Sequence, residues 1–378
     1  MEKKINRKIN QSRKSRKNKF WFVSVRARNF CKENSIIFIG LVLFVGLLFL
    51  VQEKRTIDVG PSSNLTARVL NVDSSDLPGA NLSPISGMPC ADYNRRPIAV
   101  MLANDPVTRP LSGLKDADLV FEMQVVQNSI TRLMAIYVCG NPAEIGSIRS
   151  ARHSFIPLTM GIDALYAHWG GSHFALDKLN AGVMNNIDAL RNPFNAFYRK
   201  SDIPAPHNGF SSINRLLNSA DKLGYRLKNE FEGYPHIKNP KSEIRNPKQG
   251  TLKINYNYPY NVEYRYDPEK NSYLRWRGGT PETDKINGQQ IEAKNVVVIR
   301  TASEKLDDQY NNVEVEGGGE ATIYRNGETI DGVWRKDKKD RKSKLYFFDE
   351  QGNEIEFVPG QIWVEIIEPG KSVVWSTE

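Results

Sequence analysis

Residues 118–138 read DLVFEMQVVQNSITRLMAIYV, two apolar runs separated by the polar tripeptide Gln127-Asn128-Ser129. Each run is short and apolar, which predicts a buried strand on either side of the tripeptide. Just upstream, residues 97–103 read PIAVMLA and predict a third buried strand. The three runs form the centre of the predicted fold.

Helical patterns follow these strands. We predict a helix over residues 151–161, a buried strand over 164–168 and a helix through Leu179 whose N-cap is Ser172. The clearest helix begins at Ser211, carries one apolar stripe and ends at Gly224. Alternating buried strands and helices predict an α/β domain, a mixed sheet with helices, over residues 85–245.

The remainder of the chain is patterned differently. Residues 225–250 are polar and interrupted by prolines, which favours a linker or long loop. Short alternating runs then continue to the C-terminus, and Asn326-Gly327 between two of them is a strong hairpin signal. We therefore predict a β-rich C-terminal domain over residues 246–378.

The net charge of +9 is concentrated in the N-terminal tail. Residues 1–34 hold 12 Lys or Arg and 2 Glu, and residues 52–378 hold 40 basic and 41 acidic side chains. The body is thus close to neutral, which argues against nucleic acid as a partner. The basic tail predicts a cytoplasmic segment, because positive charge flanks the cytoplasmic end of membrane spans.

Residues 36–51 contain sixteen apolar residues without a charge or proline. With their neighbours they predict an N-terminal transmembrane helix at 35–52, followed by a flexible stalk at 53–84. The alternatives are a buried core helix and a cleaved signal peptide, although no small-residue cleavage site follows. The expected location is the cell membrane, with a single pass, a cytoplasmic N-terminus and an extracytoplasmic body.

An extracytoplasmic body would hold its cysteines under oxidising conditions. Cys90 and Cys139 lie next to predicted strands and are the candidates for a disulfide, with two free buried thiols as the alternative. Their spacing does not suggest a metal site, and we expect no metal and no cofactor.

Residues 145–152, IGSIRSAR, lie at a predicted junction between a strand and a helix. Glycine allows a sharp turn, a helix start offers free N–H groups, and arginines donate bidentate hydrogen bonds. Arg149, Ser150 and Arg152 are therefore candidates to bind a phosphate or carboxylate. The alternative is a pair of surface or ion-paired arginines near a turn.

A second strand end, residues 166–173, reads YAHWGGSH and would face the same crevice. It supplies the ligand-binding candidates His168, Gly170, Gly171 and His173, with His168 as the candidate catalytic acid or base. A proline-rich loop adds His207 and Asn208. No GxSxG, HExxH, Walker or GxGxxG motif occurs, so the residues indicate a pocket more clearly than a reaction.

Two charged residues lie within predicted apolar strands. Glu122 and Arg132 are further candidates for the ligand site, and a mutual ion pair is the alternative interpretation.

Several phrases resemble the YerB-like family of bacterial envelope proteins. They are residues 96–101 (RPIAVM), 109–114 (RPLSGL), 117–122 (ADLVFE), 130–132 (ITR), 145–152, 168–171 (HWGG), 206–208 (PHN), 295–298 (NVVV) and 332–334 (GVW). The resemblance covers about residues 85–370 and implies an α/β domain, a β domain and an extracytoplasmic, often lipoprotein, location. This chain lacks a cysteine directly after its apolar segment to carry the lipid.

A fainter resemblance, to the LytR-CpsA-Psr envelope phosphotransferases, implies that Arg149 and Arg152 clamp a pyrophosphate. Fold-level likeness does not transfer an activity. The leading hypothesis is a membrane-anchored envelope protein that binds a wall glycan or lipid-linked phosphate. The alternatives are an envelope phosphoryl or glycan transferase and a non-catalytic scaffold that recruits envelope proteins.

Overall fold

The computed structural model describes residues 81–239 and 248–377. The predicted basic tail, transmembrane helix and most of the stalk lie outside the described residues. Within those two ranges, no helix has the length and apolar character that a membrane crossing needs.

The first described segment contains eight strands and three α-helices. The strands are β1 (Ile98–Leu102), β2 (Leu119–Gln124), β3 (Thr131–Tyr137), β4 (Ile145–Gly146), β5 (Leu165–His168), β6 (Asn186–Asp188), β7 (Tyr198–Arg199) and β8 (Gly209–Ser211). The helices are α1 (Phe155–Gly161), α2 (His173–Asn180) and α3 (Ile213–Lys222), with short 3-10 turns at Pro106–Thr108, Leu114–Asp116 and Pro193–Asn195.

The second described segment is built from strands. These are β9 (Gly250–Ile254), β10 (Val262–Asp267), β11 (Ser272–Arg277), β12 (Thr280–Pro281), β13 (Glu292–Ala293), β14 (Asn295–Arg300), β15 (Ser303–Lys305), β16 (Asn311–Val313), β17 (Gly317–Arg325), β18 (Glu328–Lys336), β19 (Tyr346–Asp349), β20 (Ile362–Ile367) and β21 (Val373–Thr377).

Strands from both segments join one ten-stranded mixed sheet, in the order β19-β18-β17-β14-β20-β2-β3-β1-β5-β6. The junction between the segments is the parallel pair β2–β20, in which Glu122 lies opposite Glu365. Strands β9 to β13 and β21 form a second, six-stranded sheet.

The prediction of an α/β fold is wrong, because strand residues far outnumber helical residues in the described part of the chain and its α-helices have only 7, 8 and 10 residues. The physical reason is the layer that covers the central sheet. Alternate residues of β1 enter two different cores: Ile98, Val100 and Leu102 enter one, and Ala99 and Met101 the other. Tyrosines and aliphatic residues of the second sheet enter the first core beside the buried face of α3, whereas helices alone were expected there.

The helices begin near the predicted positions. Ser172 is the N-cap of α2 and its side chain accepts from the Ala175 amide at 3.2 Å. The cap of α3 is Ser212, one residue after the predicted start, and α1 begins only at Phe155. The predicted hairpin at Asn326-Gly327 is confirmed: it joins β17 to β18, and both turn residues have positive φ, 53° and 75°.

Cys90 and Cys139 form a disulfide, with Cα atoms 5.7 Å apart and a sequence separation of 49. This is the pair that the sequence indicated. It ties the segment before β1 to the end of β3.

Replacing both cysteines by serine is expected to lower the free energy of unfolding by about 4 kcal/mol, because a closed loop of this length restricts the unfolded chain. Urea denaturation of the oxidised protein and of Cys90→Ser/Cys139→Ser measures the difference. The wild type in excess reductant is the control and should match the variant. Superimposable curves for the oxidised protein and the variant would contradict the expectation.

Candidate functional site

The segment 145–152 crosses the carboxyl ends of two parallel strands. The Arg149 amide donates to the Met101 carbonyl of β1 at 2.9 Å, and the Ala151 amide donates to the Gly170 carbonyl, just after β5, at 2.9 Å. Because β1 and β2 both run antiparallel to β3, the start of β3 lies at the same sheet edge as their carboxyl ends. Ligand sites of open sheets commonly lie at such an edge.

Three arginines meet there: Arg132 at the start of β3, and Arg149 and Arg152 in the loop before α1. Arg132 Nη1 donates to the Ser150 carbonyl at 2.8 Å, and Arg152 Nη1 to the Ala151 carbonyl at 3.1 Å. Within residues 81–239 and 248–377, no carboxylate lies within 4.0 Å of any of the three guanidinium groups. They form a cationic cluster in which Arg132 and Arg152 donate to carbonyl oxygens rather than to acids.

The electrostatics of the cluster follow from burial and mutual repulsion. Arg132 is 5% exposed. Its burial, together with the positive charges of Arg152 and Arg149, lowers the pKa of Arg132 to about 9. Burial also lowers the pKa of Arg152. Asp105 is the nearby acid, and its charge opposes the shift at Arg132 without forming an ion pair. An incoming anion would relieve the repulsion.

Several buried polar atoms at this edge have no hydrogen-bond partner in the described part of the protein. They include Nε of each of the three arginines, Ser147 Oγ and Asp105 Oδ2. Buried polar groups in native proteins are almost always paired with protein, water or a ligand. The edge thus presents mainly hydrogen-bond donors, a set that suits phosphate oxygens.

Aromatic rings border the cluster on one side. The Arg152 guanidinium lies over the Tyr310 ring at 5.1 Å, and Tyr310 contacts the His173 ring edge-on at 5.7 Å. His173 is exposed and stacks on Phe174 at 3.9 Å. Of the predicted histidines, His173 is therefore at the rim of the cluster.

His168 has a different environment from the one expected for an acid or base. It is fully buried, with Nδ1 2.8 Å from the Gly170 carbonyl and Nε2 3.2 Å from Asn186 Oδ1. Burial lowers its pKa. Gly170 has a φ of 60°, and its amide donates to Asp188 Oδ1 at 2.8 Å. Gly171 completes this turn into α2, so the geometry favours a structural role for His168 and both glycines.

His207 and Asn208 lie in the loop between β7 and β8. Asn208 Oδ1 accepts from Arg199 Nη1 at 2.5 Å, and Arg199 in turn lies over the Trp169 ring at 4.2 Å. No contact among the described residues joins His207 or Asn208 to the three arginines. They belong to a separate polar loop.

Glu122 and Arg132 do not form the ion pair considered from the sequence. In the β2–β3 register Glu122 lies opposite Leu133 and Arg132 opposite Met123, which places the two charges on opposite faces of the sheet. Glu122 instead accepts from Arg275 Nη2 and Arg277 Nη2 of the second sheet. Among the described residues, Arg132 forms no ion pair with a carboxylate.

The partners of Glu122 form a buried ionic network between the two sheets. Arg275 and Arg277 also pair with Glu282, at 3.0 and 3.1 Å, and Arg275 pairs with Glu365 at 3.2 Å. Glu365 is fully buried, and burial and the charge of Glu122 raise its pKa to about 7. The guanidinium groups of this network donate to partners inside the protein. The network therefore joins the two sheets and does not face a ligand.

Some members of the edge were not among the sequence candidates. Asp105 comes shortly after β1 and Tyr310 directly before β16, and only the ends of those strands in the sequence could have indicated them. No group of three or more His, Cys, Asp or Glu side chains in the described ranges is arranged to hold a metal ion.

Replacing Arg132 by methionine is expected to raise the free energy of unfolding by about 1–2 kcal/mol at neutral pH, because it removes a buried cation that two other arginines repel. The matched control is Arg277→Met, which removes an equally buried arginine that pairs with Glu122 and should destabilise the protein. Urea denaturation of both variants shows whether each substitution raises or lowers the free energy of unfolding. A destabilised Arg132→Met protein would contradict the assignment of Arg132 as unpaired.

Two family models match the chain. "Protein of unknown function (DUF3048) N-terminal domain" matches residues 85–226, and "Protein of unknown function (DUF3048) C-terminal domain" matches residues 252–364. Both matches lie within the range over which the resemblance was seen in the sequence.

One relative and one solved structure agree with this match. A Bacillus subtilis (strain 168) protein named "Putative lipoprotein YerB" is 29% identical over 296 residues, 75% of this chain and 86% of the relative. The crystal structure of the YerB protein from Bacillus subtilis is 27% identical, with a TM-score of 0.70, and the match covers 78% of this chain and 99% of that one. The chain belongs to the YerB-like family, defined by the two DUF3048 domains.

Proposed function

We propose that this protein is an extracytoplasmic, membrane-associated protein of the cell envelope that binds a phosphate-bearing envelope ligand at Arg132, Arg149 and Arg152. The location is supported by the name of the Bacillus subtilis relative and by the disulfide between Cys90 and Cys139, a bond that persists in oxidising compartments.

One observation carries the ligand class: among the described residues, the three clustered guanidinium groups have no carboxylate partner, and each has a buried Nε without a hydrogen bond. The buried arginines Arg275 and Arg277 behave differently, since each pairs with two or more carboxylates. Phosphate accepts several charge-assisted hydrogen bonds from arginine and would balance the local positive charge.

The proposal is for binding and not for group transfer. His168, the acid–base candidate of the transferase hypothesis, is fully buried, and both of its ring nitrogens contact polar partners within the fold. A lipid-linked phosphate and a phosphorylated wall glycan share the chemistry that the arginines recognise, so the source of the phosphate is decided by experiment.

Thermal unfolding of the full chain against lipid-linked phosphates, phosphorylated wall fragments and their dephosphorylated forms tests the proposal. A ligand that binds only the native state raises the unfolding midpoint as its concentration rises. We expect a phosphorylated member to raise the midpoint and Arg149→Ala/Arg152→Ala to abolish the rise. The loss of two charge-assisted hydrogen bonds corresponds to roughly 100-fold or more in affinity.

The control is Arg199→Ala/Arg215→Ala, which removes two arginines that lie over the aromatic rings of Trp169 and Tyr198 and are not members of the cluster. It should keep the ligand-induced rise. A rise that persists in the folded Arg149→Ala/Arg152→Ala protein, or one that dephosphorylated ligands produce equally, would refute the site.

A further inference from the structure

The end of β18 and its connection to β19 are strongly basic. Residues 335–344, RKDKKDRKSK, contain seven basic and two acidic residues, although residues 52–378 as a whole are nearly neutral. Lys336 and Lys344 are buried and hold the connection in place: Lys336 Nζ donates to the Ser343 carbonyl, and Lys344 Nζ pairs with Glu354 at 2.9 Å. The other five cations of the segment are exposed.

The two acids of this connection are used by its own backbone. Asp337 Oδ1 accepts from the Lys339 amide at 2.8 Å, and Asp340 Oδ1 accepts from the Lys342 amide at 2.9 Å. These turns fix the backbone without neutralising the side chains. Within the described ranges, Lys339, Lys342 and Arg341 form neither an ion pair nor a side-chain hydrogen bond. The loop is therefore an ordered cationic surface.

An open groove of about 440 Å³ lies beside these cations. Two aromatic rings, Tyr346 and Phe348, line it and stack at 5.8 Å with an interplanar angle of 15°. The Arg335 guanidinium lies over the Phe348 ring at 5.4 Å. The surface thus combines free positive charge with a partly apolar groove.

We propose that this surface, residues 335–342 with Tyr346 and Phe348, binds a polyanionic chain, a polymer with repeated phosphate or carboxylate groups. The cations bind the repeated charges, and the aromatic groove contacts the uncharged units between them. Several weak contacts on one chain add up to a useful affinity. A bilayer surface fits less well, because residues 337–342 read DKKDRK and contain no apolar side chain that could enter lipid.

This surface shares no residue with the three-arginine site, and the proposal does not rest on that site. The test uses inorganic polyphosphate as the probe, titrated into the full chain at several salt concentrations. The charge-reversed variant is Lys339→Glu/Arg341→Glu/Lys342→Glu. We expect at least a tenfold loss of polyphosphate affinity and a weaker salt dependence, because fewer cations contact the polymer.

The matched control reverses three other exposed lysines, Lys228→Glu/Lys253→Glu/Lys285→Glu, and should bind polyphosphate much as the wild type does. Monomeric glycerol phosphate should bind at least tenfold more weakly than the polymer. An equal loss of polyphosphate affinity in both triple variants would show that binding depends only on the overall charge of the protein. That result would overturn the proposal. It is also overturned if wild-type protein does not bind polyphosphate, or if Lys339→Glu/Arg341→Glu/Lys342→Glu changes only the binding to phosphatidylglycerol vesicles. Arg149→Ala/Arg152→Ala should retain the polyphosphate binding of the wild type.

Discussion

Replacing Glu122 by glutamine is expected to lower the free energy of unfolding by about 3–5 kcal/mol, the typical cost of removing one partner from a buried ion pair. Glu122 accepts from both Arg275 and Arg277, and it also accepts from Asn104 at 2.9 Å and Thr131 at 2.6 Å. A neutral amide would leave two buried guanidinium groups with less compensating charge where the two sheets meet.

Urea denaturation of wild type and Glu122→Gln measures this loss. The control is Glu304→Gln, the same substitution at an exposed strand residue, which should change stability by less than about 0.5 kcal/mol. Because Glu122 is fully buried, unfolding curves that coincide for the wild type and Glu122→Gln would contradict the ionic network as described.

Stability is also expected to fall as the pH rises, and Glu365 is the group responsible. Burial and the neighbouring Glu122 charge raise the pKa of Glu365 to about 7 in the folded protein, above its ordinary value of 4.5. The folded state therefore binds more protons than the unfolded state between these two pH values. Across that window the contribution of Glu365 lowers the free energy of unfolding by up to about 3 kcal/mol. Above the window this contribution no longer changes with pH.

Glu365→Gln removes the titrating group and should flatten this part of the pH profile. Urea denaturation at pH 5, 6, 7 and 8 gives the pH profile of each protein. The free energy of unfolding of the variant should increase relative to that of the wild type as the pH rises. Glu304→Gln, whose residue is exposed, should keep the wild-type slope. Parallel profiles for wild type and Glu365→Gln would show that Glu365 does not take up a proton on folding.

The strands of the central sheet could be predicted because their residues are apolar at nearly every position. Buried residues alternate between two cores along β1, so a continuous apolar run such as residues 97–103 is the expected pattern. The run does not reveal what covers each face. The sheet that contains Tyr264 and Tyr273 covers one of these faces. Its contacts with the first segment join residues that are far apart in sequence, so a local pattern does not reveal them.

The candidate site could be predicted in part. Residues 149–152 do lie at the carboxyl ends of β1 and β5, as a strand–turn–helix pattern indicates. The partner of Glu122 could not be predicted, since Arg275 and Arg277 are more than 150 residues away in sequence. His168 was attractive because it ends a strand before a glycine turn, but this pattern is equally typical of a buried histidine that caps the turn.

The most direct test of the three-arginine site is isothermal titration calorimetry of the full chain with inorganic pyrophosphate. The account predicts saturable binding to one site in the wild type and in Arg199→Ala/Arg215→Ala, and binding at least 100-fold weaker in Arg149→Ala/Arg152→Ala. Absence of binding to the wild type, or equal affinity in a folded Arg149→Ala/Arg152→Ala protein, would contradict the claim that these arginines form an anion site.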